Sequence, residues 1–531
     1  MITNKNDLEK IKNKFIENEQ KNIQIKIAMS VCAKSSGAEK IFDYLSNEIK
    51  NKNLDIDIIP TGCMGFCYCE PTLKIVNPKS KEIDIMGDVT LEKAKTILDK
   101  IIKNEKTEGD VAPRTKEKRV SLLNCGDINP ESFENAVARG AYFSLENIIT
   151  NFSKESIVDS VEKSGLRGRG GAGYLTGKKW RALYENKSSE KYIICNADEG
   201  DPGAFMDRSI LAGDPHLVLE GMIIGGFAVG AKNGIIYIRA EYPQAIEILL
   251  KAIEDLKTHG ILGNNIFGTD FNFNIELKYG AGAFVCGEET ALIQSMEGKR
   301  GEPKAKPPYP VESGYREKPT VVNNVETFAN ITRIFQNGVD WYREIGTERS
   351  PGTKIFALVG KVKKVGLVEV PLGTKLKDII YEIGGGIKGE KKFKAVQTGG
   401  PSGGCLSQED LEISVEYDEL VKRGAMMGSG GLIVLDEDDC MVEMARFYTG
   451  FSVGESCGKC TPCRIGTKRL YEILDKILNG KGEIKDLDLL EELSITVRRA
   501  ALCGLGKSAP NPILSTLKKF RNEYLDKIER R

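Results

Sequence analysis

The chain has 531 residues, and its 76 lysine and arginine side chains balance its 76 aspartate and glutamate side chains. This length predicts three or four domains, and a neutral chain lacks the basic excess that marks a nucleic-acid-binding protein. The longest weakly polar stretch, residues 221–231, is shorter than the roughly 20 apolar residues of a membrane-spanning helix. Residues 1–22 contain no apolar leader segment. We therefore expect a cytoplasmic protein with no direct membrane span and no nucleic-acid partner.

Strands are predicted at residues 23–30, 54–59 and 73–76, and helices at residues 37–50 and 91–102. These elements predict a small α/β domain over residues 1–105. Residues 104–118 are charged and interrupted by glycine and proline, so we expect a linker over residues 106–130.

Strands alternate with helices through the centre of the chain. A helix at 156–164 and strands at 192–195, 234–238 and 273–277 predict a mostly parallel sheet in a domain over residues 131–345. Strands at 354–359 and 367–370 begin a smaller β-containing domain over residues 346–434. Helices at 470–477, 487–501 and 512–528 predict an all-helical domain over residues 435–531. The predicted fold class is therefore multidomain α/β.

A glycine-rich loop, residues 165–177, follows the predicted helix 156–164. Gly168, Gly170 and Gly173 form G-x-G-x-x-G, but a helix precedes the loop where the dinucleotide-binding motif requires a strand. Its backbone N–H groups and flanking cations could cradle a phosphate, and a flexible turn is the alternative.

Two acidic segments also follow predicted strands. Asp198 and Glu199 come directly after the strand 192–195, where hydroxyls of a ribose or ribityl chain could donate to them. Glu288 and Glu289 open a helix, and could be acid/base groups or merely favourable charges at a helix N-terminus. The run Asp201 to Gly203 is also a good turn sequence, so this segment alone leaves the choice open.

Thirteen cysteines are mostly clustered, and only two histidines are present. Clustered cysteines in a reducing compartment are typical of metal ligands rather than disulfides. Cys457, Cys460 and Cys463 have C-x2-C-x2-C spacing, which reaches three corners of a cubane iron–sulfur cluster, and the remote Cys503 can close the fourth. Zinc is the alternative, although it usually takes two separated ligand pairs, and unligated thiols are a third interpretation.

The remaining histidines and cysteines carry no ligand pattern. We expect His216 and His259 to be structural. Histidine-dependent zinc chemistry and a Ser-His-Asp hydrolase are therefore disfavoured, because both need histidines and the chain has only these two. Five further cysteines lack ligand spacing, and we expect them to be small buried apolar residues. They are Cys125, Cys195, Cys286, Cys405 and Cys440.

Six sequence strings occur together and in order along the chain. They are GLRGRGGAGYLTGKKW, NADEGDPGAFMDR, CGEETALIQSMEG, KPPYP, PTVVNNVET and ESCGKCTPCRIG. With these strings the chain resembles the NADH-binding flavoprotein subunit of respiratory complex I. It also resembles the diaphorase subunit of soluble NAD-linked hydrogenases and formate dehydrogenases, and most of all that of multimeric, electron-bifurcating enzymes. The resemblance covers residues 122–505.

The resemblance implies a thioredoxin-like amino-terminal domain, a modified Rossmann-like FMN domain, a ubiquitin-like β-grasp (SLBB) domain and a helical bundle with a [4Fe–4S] cluster. Implied FMN contacts are Gly168, Arg169, Gly170, Lys179, Asn196, Asp198, Glu199, Gly287, Glu288, Glu289, Asn323, Asn324 and Thr327. Implied NAD(H) contacts are Gly171, Ala172, Tyr174, Asp201 and Tyr309. The sequence departs from the family pattern at three places. Tyr174 and Leu175 stand where the family usually has Phe-Pro, Asp201 stands where Glu is frequent, and Tyr309 stands where Phe is frequent.

The amino-terminal domain resembles a thioredoxin-like [2Fe–2S] ferredoxin, whose ligands are C-x4-C followed by C-x3-C. Cys63 and Cys67 keep the second pair, but Cys32 has no partner five residues away. We expect Cys69 as the fourth ligand, and a cluster-free docking domain is the alternative.

For the function, the resemblance implies an NADH dehydrogenase (diaphorase)-type subunit. Hydride would pass from NADH to FMN and single electrons would leave through the [4Fe–4S] cluster. No side chain is expected to act as a catalytic acid, and the nearby Glu199 and Glu289 would tune charge and position.

Implied partners are a small thioredoxin-like [2Fe–2S] subunit and a catalytic iron–sulfur subunit of a hydrogenase, formate dehydrogenase or NADPH-linked enzyme. Ferredoxin would be an indirect partner through electron bifurcation. The alternatives are a peripheral complex I subunit, a non-catalytic electron-relay scaffold and a zinc-stabilised binding protein.

Overall fold

A computed structural model describes residues 1–529, so the last two residues of the predicted domain 435–531 lie outside the described residues. The described residues contain three β-sheets, which form the centres of three successive parts of the chain. A group of helices follows the third sheet.

The amino-terminal part is built on a four-stranded sheet of order β2-β1-β3-β4, in which β1 and β2 are parallel and the other pairs antiparallel. Its elements are α1 (Lys5–Glu19), β1 (Ile23–Ala28), α2 (Val31–Ser35), α3 (Ala38–Asn51), β2 (Ile56–Thr61), β3 (Leu73–Val76), β4 (Ile83–Met86) and α4 (Leu91–Ile102). All five predicted elements are found. Three elements, α1, α2 and β4, were not predicted. In α1 only Leu8 is buried, so the helix has no strong apolar stripe from which it could have been recognised.

The second part contains a four-stranded, all-parallel sheet of order β7-β6-β5-β8, as the alternation of strands and helices predicts. Its strands are β5 (Tyr192–Ala197), β6 (Asn233–Arg239), β7 (Asn274–Gly280) and β8 (Thr320–Asn324). Its helices are α5 (Phe133–Ala138), α6 (Phe143–Asn151), α7 (Lys154–Ser164), α8 (Thr176–Glu185), α9 (Met206–Gly213), α10 (Pro215–Val229), α11 (Pro243–His259), α12 (Glu289–Met296), α13 (Val325–Asn337) and α14 (Val339–Arg343).

The third part has a five-stranded mixed sheet of order β10-β9-β13-β11-β12. Its elements are β9 (Thr353–Gly360), β10 (Gly366–Pro371), β11 (Phe393–Thr398), β12 (Cys405–Ser407), α15 (Tyr417–Lys422) and β13 (Gly431–Asp436). A separate hydrophobic core, with Phe356, Ile379 and Leu420 among its members, fills this part.

The carboxy-terminal part is helical. Its helices are α16 (Met441–Gly454), α17 (Lys468–Leu478), α18 (Ile484–Ala500), α19 (Gly504–Ser508), α20 (Asn511–Lys519) and α21 (Arg521–Glu529). The single helix predicted over 512–528 was wrong, because the backbone leaves helical geometry at Phe520, with φ −132° and ψ 34°, and divides it into α20 and α21.

Residues 103–132 contain no helix or strand, as predicted for a linker, yet part of this segment packs tightly. The backbone N–H groups of Val120, Ser121 and Leu122 donate to the buried Glu369 carboxylate on β10 at 2.9–3.0 Å. Lys354 and Glu326 form a fully buried ion pair between β9 and α13. These contacts fix the second and third parts against each other.

Within residues 1–529, no single helix is long and apolar enough to cross a membrane. The pair α9 and α10, bent by 96°, meets that test by length and composition only when the two helices are taken together. Every residue of α10 is buried inside the protein.

Candidate functional site

Two adjoining cavities, of about 560 and 630 Å³, open where the second, third and helical parts meet. They share a wall made of Gly170, Gly171, Ala172, Asn196, Gly287, Glu288, Asn324 and Gly504. The carboxyl ends of β5 and β8 reach this wall, as expected for a ligand site in a parallel sheet. We call the two spaces together the central cavity.

The glycine-rich loop forms one side of the central cavity. It folds back on itself, because the Gly168 N–H donates to the Tyr174 carbonyl at 2.8 Å. Gly171 has φ +124° and lies so close to Gly428 of the third part that an added Cβ would stand 3.2 Å from the Gly428 carbonyl carbon. The positive φ of Gly171 and its close approach to Gly428 both favour glycine, so this loop brings bare backbone to the cavity.

Arg169 is the exception among the predicted FMN residues. Its fully buried guanidinium donates to the Tyr342 hydroxyl and the Pro351 carbonyl, each at 2.8 Å, and the side chain does not line the central cavity. Its backbone N–H donates to the Thr327 hydroxyl at 2.9 Å. The structure therefore gives the Arg169 side chain a supporting position behind the loop.

The acidic segment after β5 enters the central cavity. Both carboxylate oxygens of Asp198 are buried without a hydrogen-bond partner. Burial raises the pKa of Asp198 to about 7 and also raises the pKa of Glu199. Glu199 accepts from the N–H groups of Asp207 and Arg208 at 3.0 and 3.2 Å, at the start of α9. An unpartnered buried carboxylate is an acceptor that lacks a donor, which suits the hydroxyls of a bound nucleotide.

Glu288 and Glu289 have different roles. The Glu288 carboxylate caps α12 by accepting from the N–H groups of Thr290 and Ala291 at 2.9 and 3.0 Å, so the helix-end interpretation holds for it. Glu289 pairs with the Lys179 and Lys306 ammonium groups at 2.7 and 2.6 Å. Burial acts against ionisation, but these two cations outweigh it and lower the pKa of Glu289.

Three asparagine side chains and one threonine complete the wall at the strand ends. Asn196 donates to the Gly287 carbonyl at 2.9 Å, and Asn324 donates to Asp207 at 2.6 Å. Asn323 accepts from the Trp180 indole N–H at 3.0 Å. These bonds fix the strand ends of β5 and β8 relative to the helices beside them, and Thr327 lines the same wall.

Two of the predicted NAD(H) residues lie at an accessible edge of the central cavity. Tyr174 and Tyr309 line it and are 56% and 53% exposed, so both rings are accessible. Gly171 and Ala172 belong to the shared wall. Asp201 contacts the Ser429 hydroxyl of the third part, and burial raises the pKa of Asp201 to about 6.

The four carboxy-terminal cysteines lie together. Cys463 is in a π-helical turn, Pro462–Thr467, and its neighbours include Cys457, Cys460 and Cys503. Burial raises the pKa of the Cys463 thiol to about 11. Within residues 1–529, no three His, Cys, Asp or Glu side chains converge on a point that could hold a single metal ion. Four cysteines around a shared space are the donor set of a [4Fe–4S] cluster.

This cysteine group adjoins the central cavity. Gly504, directly after Cys503, lines both spaces, and Leu505 lines one of them. The loop is anchored to the second part, since Lys459 donates to the Pro303 carbonyl at 2.8 Å and Glu455 accepts from the Phe284 N–H at 2.8 Å.

The amino-terminal cysteines lie at the contact between the first and second parts. The Cys67 thiol lies within hydrogen-bonding reach of both Cys32 and Cys63. Cys32 and Cys63 line a cavity of about 190 Å³ together with Arg208 and Tyr242. Cys69 is not among these contacts, because its thiol donates to the Phe66 carbonyl at 3.5 Å and packs against Gly87.

Several residues of the central cavity were missed by the sequence interpretation. They are Asp207, Lys306, Met426, Gly428, Ser429, Arg498 and Lys507. Lys306 stands in the quoted KPPYP string and could have been chosen there, but the others carry no local signal because tertiary packing brings them in. The expectation for unpatterned cysteines holds for Cys125, Cys195, Cys286 and Cys405, which are buried, whereas Cys440 is half-buried.

Three known families match successive segments of the chain. The Nuo51 FMN-binding domain matches residues 161–333, the SLBB domain residues 355–406, and the NADH-ubiquinone oxidoreductase-F iron–sulfur binding region residues 443–527. These segments coincide with the central cavity, the third sheet and the carboxy-terminal cysteines.

Characterised proteins show the same similarity. The NADP-reducing hydrogenase subunit HndC of Solidesulfovibrio fructosivorans is 60% identical over 409 residues, which cover 77% of this chain and 83% of that protein. The F subunit of the NADH-quinone oxidoreductase of Aquifex aeolicus is 46% identical over 74% of this chain and 90% of that protein.

A solved structure resembles nearly the whole chain. It is the crystal structure of an NAD+-reducing [NiFe]-hydrogenase in the H2-reduced state, with a TM-score of 0.70 and 30% identity over 99% of this chain and 90% of that chain. The protein therefore belongs to the complex I 51-kDa/NuoF family of FMN flavoproteins, as an NADH dehydrogenase (diaphorase)-type oxidoreductase subunit with FMN-binding and [4Fe–4S]-binding regions.

Proposed function

We propose that this chain is the NAD(H)-oxidising or NAD+-reducing subunit of a cytoplasmic multisubunit oxidoreductase, and that it binds FMN and NAD(H) together in the central cavity. Bound FMN supplies the conversion between a hydride and single electrons. One observation carries the proposal, namely that the residue after Cys503 lines the same cavity as the glycine-rich loop and the Asp198 segment. This arrangement supports transfer of electrons from a flavin in the cavity to the cysteine group.

The residues proposed to hold FMN are those implied by the family resemblance. Bare backbone at Gly168 and Gly170, with the Lys179 ammonium, would receive the phosphate. The unpartnered Asp198 carboxylate would accept from ribityl hydroxyls. For Arg169 we propose a backbone contact, because its guanidinium is already engaged with Tyr342 and Pro351.

The residues proposed to hold NAD(H) act by stacking on its rings and by positioning the nucleotide. Tyr174 and Tyr309 offer exposed aromatic faces at the accessible edge of the central cavity, where a base or nicotinamide ring can pack. Asp201, tied to Ser429, would position the nucleotide from the third part. None of these side chains needs to transfer a proton, because hydride transfer uses the cofactor alone.

The finer domain assignment is also part of the proposal. We propose a thioredoxin-like domain over residues 1–105, a linker over 106–130, a modified Rossmann-like FMN and NAD domain over 131–345, a ubiquitin-like β-grasp domain over 346–434 and a helical cluster domain from 435. The parallel and antiparallel pairings of the three sheets support these names.

For partners, we propose a small thioredoxin-like [2Fe–2S] subunit and a catalytic iron–sulfur subunit, with ferredoxin served indirectly by electron bifurcation. The names of two similar proteins, an NADP-reducing hydrogenase subunit and an NAD+-reducing [NiFe]-hydrogenase, support a hydrogenase as the catalytic partner over a formate dehydrogenase. The first name also refers to NADP, so it does not argue against an NADPH-linked enzyme. A peripheral complex I subunit is the second candidate, supported by the 46% identity to an NADH-quinone oxidoreductase subunit. Mass spectrometry of the native complex would identify the co-purifying subunits and separate the two candidates.

An anaerobic NADH titration of the FMN-loaded protein tests the central claim. We expect NADH to bleach the yellow absorbance of oxidised flavin and to support reduction of a dye. Asp198→Ala should weaken FMN binding by roughly 10- to 100-fold, because it removes a charged acceptor worth about 1.5–3 kcal/mol. Asp270→Ala, an exposed position of the same domain, serves as the control. Flavin that stays oxidised in excess NADH would instead support the non-catalytic relay scaffold.

A further inference from the structure

We propose that Glu70, and not Cys69, completes the ligand set of a binuclear iron–sulfur cluster in the amino-terminal domain, together with Cys32, Cys63 and Cys67. A thioredoxin-like ferredoxin would hold such a cluster with four cysteines, but the positions five residues before and after Cys32 are occupied by Ile27 and Gly37. The chain therefore has to find its fourth donor elsewhere. The question can be decided from the contacts around the three thiols.

The three thiols are grouped by two loops that leave neighbouring strands. Cys32 is in α2, directly after β1, and Cys63 and Cys67 follow β2, which pairs with β1 in parallel. Cys67 is within hydrogen-bonding reach of both other thiols. A binuclear cluster spreads its donors over two iron atoms, so it needs a group of this kind and not convergence on a single point.

Glu70 supplies an unused donor beside this group. Its Oε2 accepts from the Thr72 N–H at 2.8 Å and from the Thr72 hydroxyl at 3.0 Å. Its Oε1 is buried and has no hydrogen-bond partner. Glu70 follows Cys67 by three residues, just after the 3-10 turn Cys67–Cys69, and Cys32 and Cys63 are among its titratable neighbours. An orphaned buried carboxylate oxygen next to three thiols has the chemistry of a missing ligand.

Cys69 is held in a different environment. Its thiol packs so closely on Gly87 that an added Cβ there would stand 2.7 Å from the sulfur. The thiol also donates to the Phe66 carbonyl at 3.5 Å, on its own side of the turn. Moving this thiol to the group would require the short 3-10 turn Cys67–Cys69 to be rebuilt.

Three arginines surround the proposed site, each next to a different thiol. Arg208 is the neighbour of Cys32, Arg119 of Cys63 and Arg114 of Cys67. Arg119 and Arg114 also donate to the Met64 and Gly65 carbonyls, at 2.7 and 3.1 Å. Three thiolates and one carboxylate bring four negative charges into a mostly buried space, and such a set requires nearby cations. Arg114 and Arg119 also pair with the Glu117 carboxylate, at 3.8 and 3.0 Å, so one carboxylate serves two of the three cations and the arginines leave positive charge for an anionic ligand set.

The test uses the full-length chain, purified without oxygen, with iron and sulfide content and the electron paramagnetic resonance spectrum of the reduced protein as readouts. The wild type should contain about six iron atoms per chain, two of them in the amino-terminal cluster. Cys69→Ser and the surface control Glu82→Ala should keep all six. Glu70→Ala should lose two.

Glu70→Cys protects the test against a variant that simply fails to fold. We expect it to keep six iron atoms and to show a shifted amino-terminal signal and a lower reduction potential, because a thiolate donates more charge to iron than a carboxylate. Loss of two iron atoms in Cys69→Ser, six iron atoms in Glu70→Ala, or an unchanged signal in Glu70→Cys would each overturn the proposal. A wild type with four iron atoms, or with zinc in place of the other two, would overturn it as well. None of these results affects the flavin-site proposal, which is read from flavin absorbance.

Discussion

The two cysteine groups of this protein are built in opposite ways. At the carboxy-terminal group, Cys457, Cys460 and Cys463 come from one short loop and only Cys503 is remote, so the spacing alone indicates the ligand set. At the amino-terminal group the donors come from two loops, and the proposed fourth donor is a glutamate that no cysteine pattern can reveal. A ligand set can be recognised from the spacing of residues in a sequence when a single loop supplies most of the ligands.

The two groups are also anchored differently to the flavin domain. The carboxy-terminal loop is tied by Lys459 and Glu455 directly beside the central cavity. The amino-terminal domain is held by Asp127, whose carboxylate binds Lys26 and Lys74 of the first sheet at 2.9 and 2.8 Å and Arg139, directly after α5, at 3.2 Å. The second anchor is a network of opposite charges around one carboxylate, so it should weaken when Asp127 is protonated.

The largest effect is expected from Cys460→Ser. Loss of one of four thiolates should remove the [4Fe–4S] cluster, so iron content should fall by about four atoms per chain. The amino-terminal signal should remain, because the two sites share no residue. Cys440→Ser, a half-buried cysteine outside the four, is the matched control. Simultaneous loss of both signals would show that the two groups are not independent.

Asp127→Asn should be the next largest in effect. The change leaves Lys26 buried without its partner, and we expect the amino-terminal domain to open more easily by about 1–3 kcal/mol. Hydrogen exchange of residues 1–105 measures this opening, and Asp43→Asn, on the exposed face of α3, is the control. Equal protection in both variants would mean that other contacts hold the domain.

The same anchor predicts a pH dependence. Burial opposes ionisation, but the Lys26 and Lys74 ammonium groups outweigh it and lower the pKa of Asp127. A depressed carboxyl pKa contributes stability above its unfolded value, about 3.9, and that stability is lost as the pH falls through the folded-state pKa. Protection of residues 1–105 should therefore decrease below about pH 4 in the wild type. Asp127→Asn should lack this component, and an identical acid profile in both proteins would contradict the assignment.

Arg300→Ala should have the smallest effect. The side chain donates to the Cys457 carbonyl at 2.5 Å but is 71% exposed, so we expect a change of less than about 0.5 kcal/mol in the free energy of unfolding. Iron content should stay at the wild-type level. A loss of iron would show that this surface contact, and not burial, holds the cysteine loop in place.

Much of the fold was predictable where strands and helices have strong periodic patterns, as in β1, β5 and α7. Helix α1 was missed because its hydrophobic periodicity is weak. The break at Phe520 was missed because no local sequence pattern marks it. Within the site, the glycine-rich loop, the Asp198 segment and the four carboxy-terminal cysteines were chosen from the sequence. The structure brings the loop and the Asp198 segment to one cavity and places Gly504, the residue after Cys503, on its wall. The Arg169 guanidinium and Cys69 were also chosen, and the structure places both away from the groups to which they were assigned.

The sequence by itself determined the chemistry that this chain can offer, because glycines, paired acids and cysteine spacing are local properties of the backbone and its side chains. Tertiary structure alone decided which of these groups face one another. Only packing places Ser429 against Asp201 and brings Gly504 to the same cavity as the glycine-rich loop. The reason is that each pair joins residues far apart in the chain, and their proximity is set by the burial of three separate cores and not by any local pattern.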